Sequence, residues 1–372
     1  MARTLAYDPK FALNAICPYF TMFPLEYPYN ILKRRKDTSE VIFDPFCGRG
    51  TTLYAARLFK FQAWGFDTSP IAVAIAKAKL ARSTFEEVLN LAEDLILTSP
   101  SEIPATDFFK HAYSKNTLIQ ICSLREGLYT IKKESGASTI LRAILLGSLH
   151  GPINRTKEGL SYFSNQMPRT FSSKPDYSVK YWKLRGIIAP DVNVLDVVKR
   201  KLARIKDINE DIMSNEQQVM CLNSCAIESY KKLPKNISTV ITSPPYYGMR
   251  TYVQDQWLRN WFLGGRETID YSNDNQISHS GVDKFTQDLA SVWKNIAKSK
   301  APELHYYIRF GTLPSTQKDA KIILRNSIEE AKGLKVISVR NASDANAGKR
   351  QADQMNFNSK PVQEYDFHVV RC

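Results

Sequence analysis

The chain has 372 residues, 43% hydrophobic and 24% charged, an ordinary globular composition with room for a sizeable core as one large domain with an insertion or as two domains. A formal net charge of +14 points to a polyanionic partner, nucleic acid first, against the plainer alternative of a basic soluble protein. The six cysteines form no paired CxxC set and the five histidines are scattered, which argues against a zinc site and a disulfide framework. Met1-Ala2-Arg3-Thr4-Leu5 lacks the apolar core of a secretory signal. The most apolar helical run, 140–149, holds Arg142 and is too short to span a bilayer. The expectation is a soluble, cytoplasmic protein with no membrane association and no bound metal.

In chain order, the segment from Cys17 to Pro24 mixes aromatics with prolines and leads into a short helix over 27–35. Val41-Ile42-Phe43 reads as a buried strand running into Asp44-Pro45-Phe46-Cys47-Gly48-Arg49-Gly50-Thr51-Thr52, with a helix over 53–59 behind it. Strand, glycine-containing turn and helix form the nucleotide-site arrangement of doubly wound sheets. The stretch lacks both the Gly-Lys-Thr of a phosphate loop and the full G-x-G-x-x-G. A second strand, 62–66, ends in Asp67, a carboxylate placed to bind ribose hydroxyls in this topology. Thr68-Ser69-Pro70 opens a helix over 71–82, with Ser69 as its cap and Pro70 at its first position.

From Phe85 to about Gln217 the alternation stops and the pattern becomes largely helical, with helices over 85–97, 114–132 and 138–149. A loop-rich, aromatic and basic stretch, 151–190, follows, and then a helix over 192–206. Between Gly151 and Lys206 stand twelve Lys or Arg against four Asp or Glu, interleaved with Tyr162, Phe163, Phe171, Tyr177, Tyr181 and Trp182. Cations neutralise phosphates and flat rings stack on bases, so this region reads as a nucleic-acid surface, or else as a helical subdomain with a solvated basic face.

The α/β pattern returns with a strand over 218–222, Asn223-Ser224 at its end, a helix over 226–233, and a buried strand over 237–241. That strand runs into Thr242-Ser243-Pro244-Pro245-Tyr246. Two prolines fix φ and remove two amide donors, holding a hydroxyl, a prolyl carbonyl and an aromatic ring at a strand's carboxyl end. Taken alone, the pentapeptide is either a strand-ending turn or a docking site. A helix with Trp257 and Trp261, closed by Gly264-Gly265, comes next, then a helix over 282–298, a strand over 305–310, and a helix over 315–332. Strands over 335–340 and 365–371 complete the chain as an antiparallel pair at the sheet's edge.

Together these residues resemble the amino-methyltransferases that modify DNA. The stretch 44–52 is similar to their Asp-Pro-Phe-x-Gly-x-Gly-Thr-Thr cofactor signature, and Ser243-Pro244-Pro245-Tyr246 resembles their catalytic signature. The serine form is typical of enzymes that methylate the N4 amine of cytosine. The resemblance implies a Rossmann-like fold: a mostly parallel twisted sheet with an antiparallel edge strand. It implies a catalytic domain made of 1–84 and 218–372, with a helical, basic insertion over 85–217 for target recognition. It also implies S-adenosyl-L-methionine as the methyl donor. Tyr19, Thr21 and Phe23, with Asp44, Pro45, Phe46, Cys47, Gly48, Gly50, Thr51 and Thr52, would surround its methionine end. Asp67 would bind the ribose, with Thr68, Ser69, Asn223 and Ser224 beside the adenine. Arg49 and Asn223 depart mildly from the family pattern.

The expected activity is site-specific N4-cytosine methylation of a base flipped from double-stranded DNA, in restriction–modification or defence, with a separate cognate endonuclease as a conceivable partner. N6-adenine methylation is the nearest alternative, followed by an RNA amine methyltransferase and an idle nucleic-acid-binding homologue. Arg155, Arg169, Lys174, Lys180, Tyr181, Trp182 and Arg185 are the expected DNA contacts, with the 341–361 loop as a further source.

Overall fold

Four consecutive buried residues, Val41–Asp44, form strand β1, the burial expected of a parallel strand covered on both faces. The structure is a computed structural model that describes residues 9–17, 24–151, 161–165, 175–205, 217–248, 256–269, 281–344 and 363–372. These fall into two units. One comprises Tyr19–Leu80, Ile212–Arg250 and Asn273–Cys372; the other comprises Met1–Pro18, Ala81–Asp211 and Thr251–Ser272.

The first unit is built on a seven-stranded sheet. Besides β1 it contains Gln62–Asp67 (β2), Gln217–Cys221 (β3), Ile237–Thr242 (β4), His305–Gly311 (β5), Leu334–Asp344 (β6) and Gln363–Arg371 (β7). Their order is β3-β2-β1-β4-β5-β7-β6. The first five pair in parallel; β7 pairs antiparallel with both β5 and β6, as expected for the chain's last two strands. The chain builds outward from β1 to β3, then returns to the other side of β1 with β4. The switch point therefore lies between β1 and β4, where open α/β sheets bind ligands beyond the strands' carboxyl ends. Asp44 and Thr242 are the last residues of these two strands.

Glu26–Leu32 (α1), Thr51–Leu58 (α2), Pro70–Leu80 (α3), Val282–Ile296 (α11) and Ala320–Ala331 (α12) are the α-helices of this unit among the described residues. Phe43, Phe66, Phe285, Trp293, Tyr306 and Phe310 anchor its core. The Trp293 indole N–H, buried there, donates to Ser327 Oγ at 3.1 Å, so no polar atom of the ring goes unpaired. The expected helix over 226–233 is instead a 3₁₀ turn, Ile227–Lys232. The Ser229 hydroxyl donates to Asn223 O and the Tyr230 hydroxyl to Ser224 O, drawing that turn against the exit of β3. The helix expected from 315 begins only at Ala320, after Asp319 caps it through Lys321 N at 2.7 Å.

The second unit is helical: Phe85–Ile96 (α4), Asp107–Ala112 (α5), Lys115–Thr130 (α6), Gly136–Leu146 (α7), Pro175–Leu184 (α8), Val194–Ala203 (α9) and Trp257–Phe262 (α10). Two of these helices differ from expectation. No element was expected at α5, and α8 lies inside the stretch read as loops. Both are held by rings. Phe108 meets Trp182 of α8 at 5.8 Å and Trp257 of α10 at 4.9 Å, while Phe109 meets Trp261 at 4.6 Å. Among the described residues no helix is long and apolar enough to cross a membrane.

The turn from β1 into α2 tolerates little change. Gly50 caps α2 at φ 73°, and a Cβ there would lie 2.7 Å from the Cβ of Ala76. Gly50→Ala is expected to destabilise the protein by about 1–3 kcal/mol, from left-handed strain plus overpacking against α3, read as a lower urea midpoint at unchanged slope.

Candidate active site

The site is built mainly from the carboxyl ends of strands in the sheet unit. At the end of β1, Asp44 is wholly buried. Its Oδ1 accepts the Phe46 amide at 3.1 Å and the Thr242 hydroxyl at 2.6 Å. Its Oδ2 is buried with no hydrogen-bond partner. Burial pushes its pKa up to about 7; the Thr242 and Thr52 hydroxyls and the Phe46 amide oppose that rise, and nearby Asp67 adds to it. A buried carboxylate with an unused oxygen fits a cationic or hydrogen-bond-donating ligand.

The turn that follows is tied down from both sides. The Cys47 amide donates to Phe66 O at 2.9 Å, and the Gly48 amide to Asp67 Oδ2 at 2.9 Å. Gly48 holds φ 49°, and no atom lies within 4 Å of where its Cβ would stand. It is needed for the left-handed backbone, whereas Gly50 is needed for both backbone and space. The Cys47 thiol is buried, and burial raises its pKa well above the ordinary value. Thr51 is buried at the start of α2, and the Thr52 hydroxyl donates to Ile241 O at 3.0 Å, fastening α2 to β4. Phe46 packs edge-on to Trp293 at 6.3 Å.

At the end of β2, Asp67 Oδ1 accepts the Ser69 amide at 2.8 Å while Oδ2 takes Gly48. Burial raises this carboxyl to about 6 against the pull of the Ser69, Gly48 and Thr68 amides. Each oxygen keeps a second lone pair for a ligand hydroxyl. The Ser69 hydroxyl caps α3 by accepting Ala72 N at 3.3 Å, and Thr68 O accepts the Cys221 thiol at 3.5 Å. At the end of β3, Asn223 Oδ1 accepts Cys225 N at 2.9 Å, and the Ser224 hydroxyl donates to Pro45 O. Ser224 thus joins the exit of β3 to the exit of β1.

β4 delivers the Ser-Pro-Pro-Tyr segment into the same crevice. Ser243, Pro245 and Tyr246 are half-buried and Pro244 is buried. Thr242 is the link: its hydroxyl bond to Asp44 joins this segment to the β1 turn across the switch point. Beyond the segment, Tyr247 bridges to Thr312 after β5, and the Leu313 amide donates to Tyr247 O at 3.2 Å. Tyr246 meets the edge of Phe310 at 6.0 Å, and its hydroxyl donates to Glu364 Oε1 at 2.6 Å. Sequence reasoning missed Glu364 and the part Thr242 plays. Glu364 has no local signature; its place follows from the antiparallel entry of β7 beside β5.

The structure therefore brings together Asp44, Pro45, Phe46, Cys47, Gly48, Gly50, Thr51, Thr52, Asp67, Thr68, Ser69, Asn223, Ser224 and Ser243 to Tyr246 at one edge of the sheet. Tyr19, Thr21 and Phe23 lie outside the described residues, as do Arg155, Arg169, Lys174 and most of the 341–361 loop. In the helical unit, Lys180 and Arg185 are exposed, and the Arg185 guanidinium lies 4.0 Å over the Tyr181 ring. Trp182, expected as a surface ring, is 1% exposed and packs on Phe108 inside that unit. The inward face of α8 also carries Ser178 and Val179, so helical spacing turns Trp182 into the interior of that unit. Among the described residues no cluster of three or more His, Cys, Asp or Glu could hold a metal.

Comparison with known proteins adds four findings. The DNA methylase family model matches residues 7–78. The Type II methyltransferase M.BsoBI of Geobacillus stearothermophilus is 23% identical over 246 residues, a match covering 60% of this chain and 47% of that protein. The Type II methyltransferase M.MjaII of Methanocaldococcus jannaschii is 30% identical over 84 residues, covering 23% of this chain and 16% of that protein. The chain thus spans about half the length of the first of these relatives, and less of the second. Among solved structures, the rRNA methyltransferase aviRa of Streptomyces viridochromogenes aligns at a TM-score of 0.37 and 12% identity, over 100% of this chain and 95% of that one.

Proposed function

From the premise that this chain is a relative of the DNA amino-methyltransferases of the N4/N6 family, we propose that it methylates the exocyclic N4 amine of a cytosine flipped out of double-stranded DNA, with S-adenosyl-L-methionine as donor. The observation that carries this reading is the 2.6 Å bond from Thr242 to Asp44, which couples a ligand-ready buried carboxylate to the Ser-Pro-Pro-Tyr segment. The donor, when bound, supplies an electrophilic methyl group on a sulfonium. Asp44, with its unpartnered Oδ2, suits the cationic end of such a molecule; Asp67 suits its ribose hydroxyls; Thr68, Ser69, Asn223 and Ser224 would flank its adenine.

An exocyclic amine is a poor nucleophile because its lone pair is delocalised into the ring. The Ser243 hydroxyl and the Pro244 carbonyl accept its two N–H bonds, which favours a tetrahedral nitrogen with a localised lone pair. Rigid prolines hold those acceptors in place, so the enzyme works by positioning and preorganised electrostatics. Tyr246 stacks on the flipped base, worth about 1–3 kcal/mol. Residues 85–217 read DNA, in a restriction–modification setting in the cytoplasm of a prokaryotic cell; the relatives named as Type II methyltransferases support that setting.

The deciding experiment is tritium transfer from labelled S-adenosyl-L-methionine to unmethylated DNA, followed by nucleoside mass spectrometry. Label in N4-methylcytosine is expected. Label only in N6-methyladenine overturns the choice of base, and label only in RNA overturns the choice of polymer. For the DNA surface, Lys180→Ala combined with Arg185→Ala is expected to reduce the slope of log affinity against log salt by about two, one phosphate each. An unchanged slope removes α8 from the interface.

A further inference from the structure

Tyr246 is held at its far end as well as along its edge. Its hydroxyl donates to Glu364 at 2.6 Å, and its ring meets Phe310 at an interplanar angle of 81°. Phe310 in turn stacks on Phe285 at 6.2 Å, and Tyr247 packs edge-on against Phe285 at 5.3 Å. Glu364 is 2% exposed and registers opposite Gly311 at the end of β5. Because β7 runs antiparallel to β5, its first residues lie at the edge where the parallel strands end. A carboxylate buried in a strand is costly unless hydrogen-bonded, so packing alone would favour an apolar residue here. Its Oε1 accepts the phenol of the ring that follows the two prolines, and its charge also acts on the Arg309 guanidinium.

We propose that Glu364 is a positioning residue for Tyr246, fixing the plane on which the extruded base stacks; this rests on the function proposed above. A tyrosine ring has two soft torsions, and anchoring its hydroxyl removes alternative rotamers before substrate arrives. A short bond to a carboxylate is among the stronger ones available for the task. The hydroxyl bond from Tyr246 is the route by which Glu364 acts on transfer, which makes it a positioning residue.

The test uses the full chain with 3-fluorotyrosine at position 246, alongside Glu364→Ala, Glu364→Gln, Tyr246→Phe and the Glu364→Ala/Tyr246→Phe double variant. The fluorine resonance is expected to move toward that of a free, averaging ring in Glu364→Ala and to return in Glu364→Gln, whose amide oxygen still accepts the bond. Single-turnover methyl transfer from tritiated S-adenosyl-L-methionine to unmethylated plasmid DNA is expected to fall about 10- to 50-fold in Glu364→Ala and in Tyr246→Phe. Cofactor affinity should stay within about twofold, and the double variant should be no slower than the slower single one. An unmoved fluorine resonance in Glu364→Ala, or additive losses in the double variant, overturns the proposal. If the wild-type chain methylates no DNA, the proposed function falls while the fluorine measurement still decides the anchor. If Glu364→Ala fails to fold, the fluorine resonance of Glu364→Leu and the Tyr246→Phe rate decide it: an unmoved resonance or an unchanged rate overturns the proposal.

Discussion

Ser243→Ala is expected to slow single-turnover methyl transfer by about 100- to 1,000-fold, the usual cost of deleting one preorganised polar partner of a transition state, while cofactor affinity stays within about twofold. The selectivity follows from the layout. β4 ends at Thr242, whose hydroxyl bonds Asp44, and the substitution leaves that bond and both prolines in place. Alanine therefore removes an acceptor for the target amine without loosening the loop or the neighbouring carboxylate. Rapid-quench measurement with tritiated S-adenosyl-L-methionine, beside a direct cofactor titration, separates the two quantities. An unchanged rate would remove Ser243 from the chemistry, and a matching loss of cofactor affinity would make it a structural residue of the Asp44 pocket.

What could be read from the sequence divides along a physical line. The sheet half was legible because its strands are short apolar runs and its turns carry Gly48, Gly50 and Pro244-Pro245, whose backbone restrictions act locally. The last two strands were legible as an antiparallel pair; that the second of them, β7, would lie between β5 and β6 was not. The helical half was less legible. Asp107–Ala112 is a helix of six residues, too short for periodicity to register, and rings from α8 and α10 hold it in place. Around α8 the aromatic and basic composition suggested a surface loop. The spacing of Ser178, Val179 and Trp182 marks instead the inward stripe of a helix, with Lys180 and Arg185 outside. Glu364 was invisible because its partner Tyr246 lies 118 positions away. Such a contact is set by strand order, which no local pattern encodes.

Asp44→Asn is expected to weaken S-adenosyl-L-methionine binding about 100-fold or more at pH 8, and by much less at pH 5.5. In the ligand-free protein the Asp44 carboxyl is raised from 3.8 to about 7, chiefly by burial. The folded state therefore holds a proton there that the unfolded chain has already released. The stability this group contributes is fully present below about pH 4 and is lost as pH rises through about 7, a total on the order of 4 kcal/mol at 1.36 kcal/mol per unit. A cationic ligand at Oδ2 favours the ionised form and expels the proton, so wild-type affinity should climb between pH 5.5 and 8, with proton release near pH 7. Asparagine can neither ionise nor release a proton; its affinity should be flat apart from the smaller contribution of Asp67, which titrates near 6. Calorimetry in two buffers of different ionisation enthalpy counts the protons directly, and thermal unfolding without ligand supplies the second reading: from pH 5.5 to 8.5 the wild type should lose stability relative to the variant. A pH-independent wild-type affinity with no proton release would show that no cationic group meets Asp44. The Oδ2 atom would then need another partner, and the donor another site.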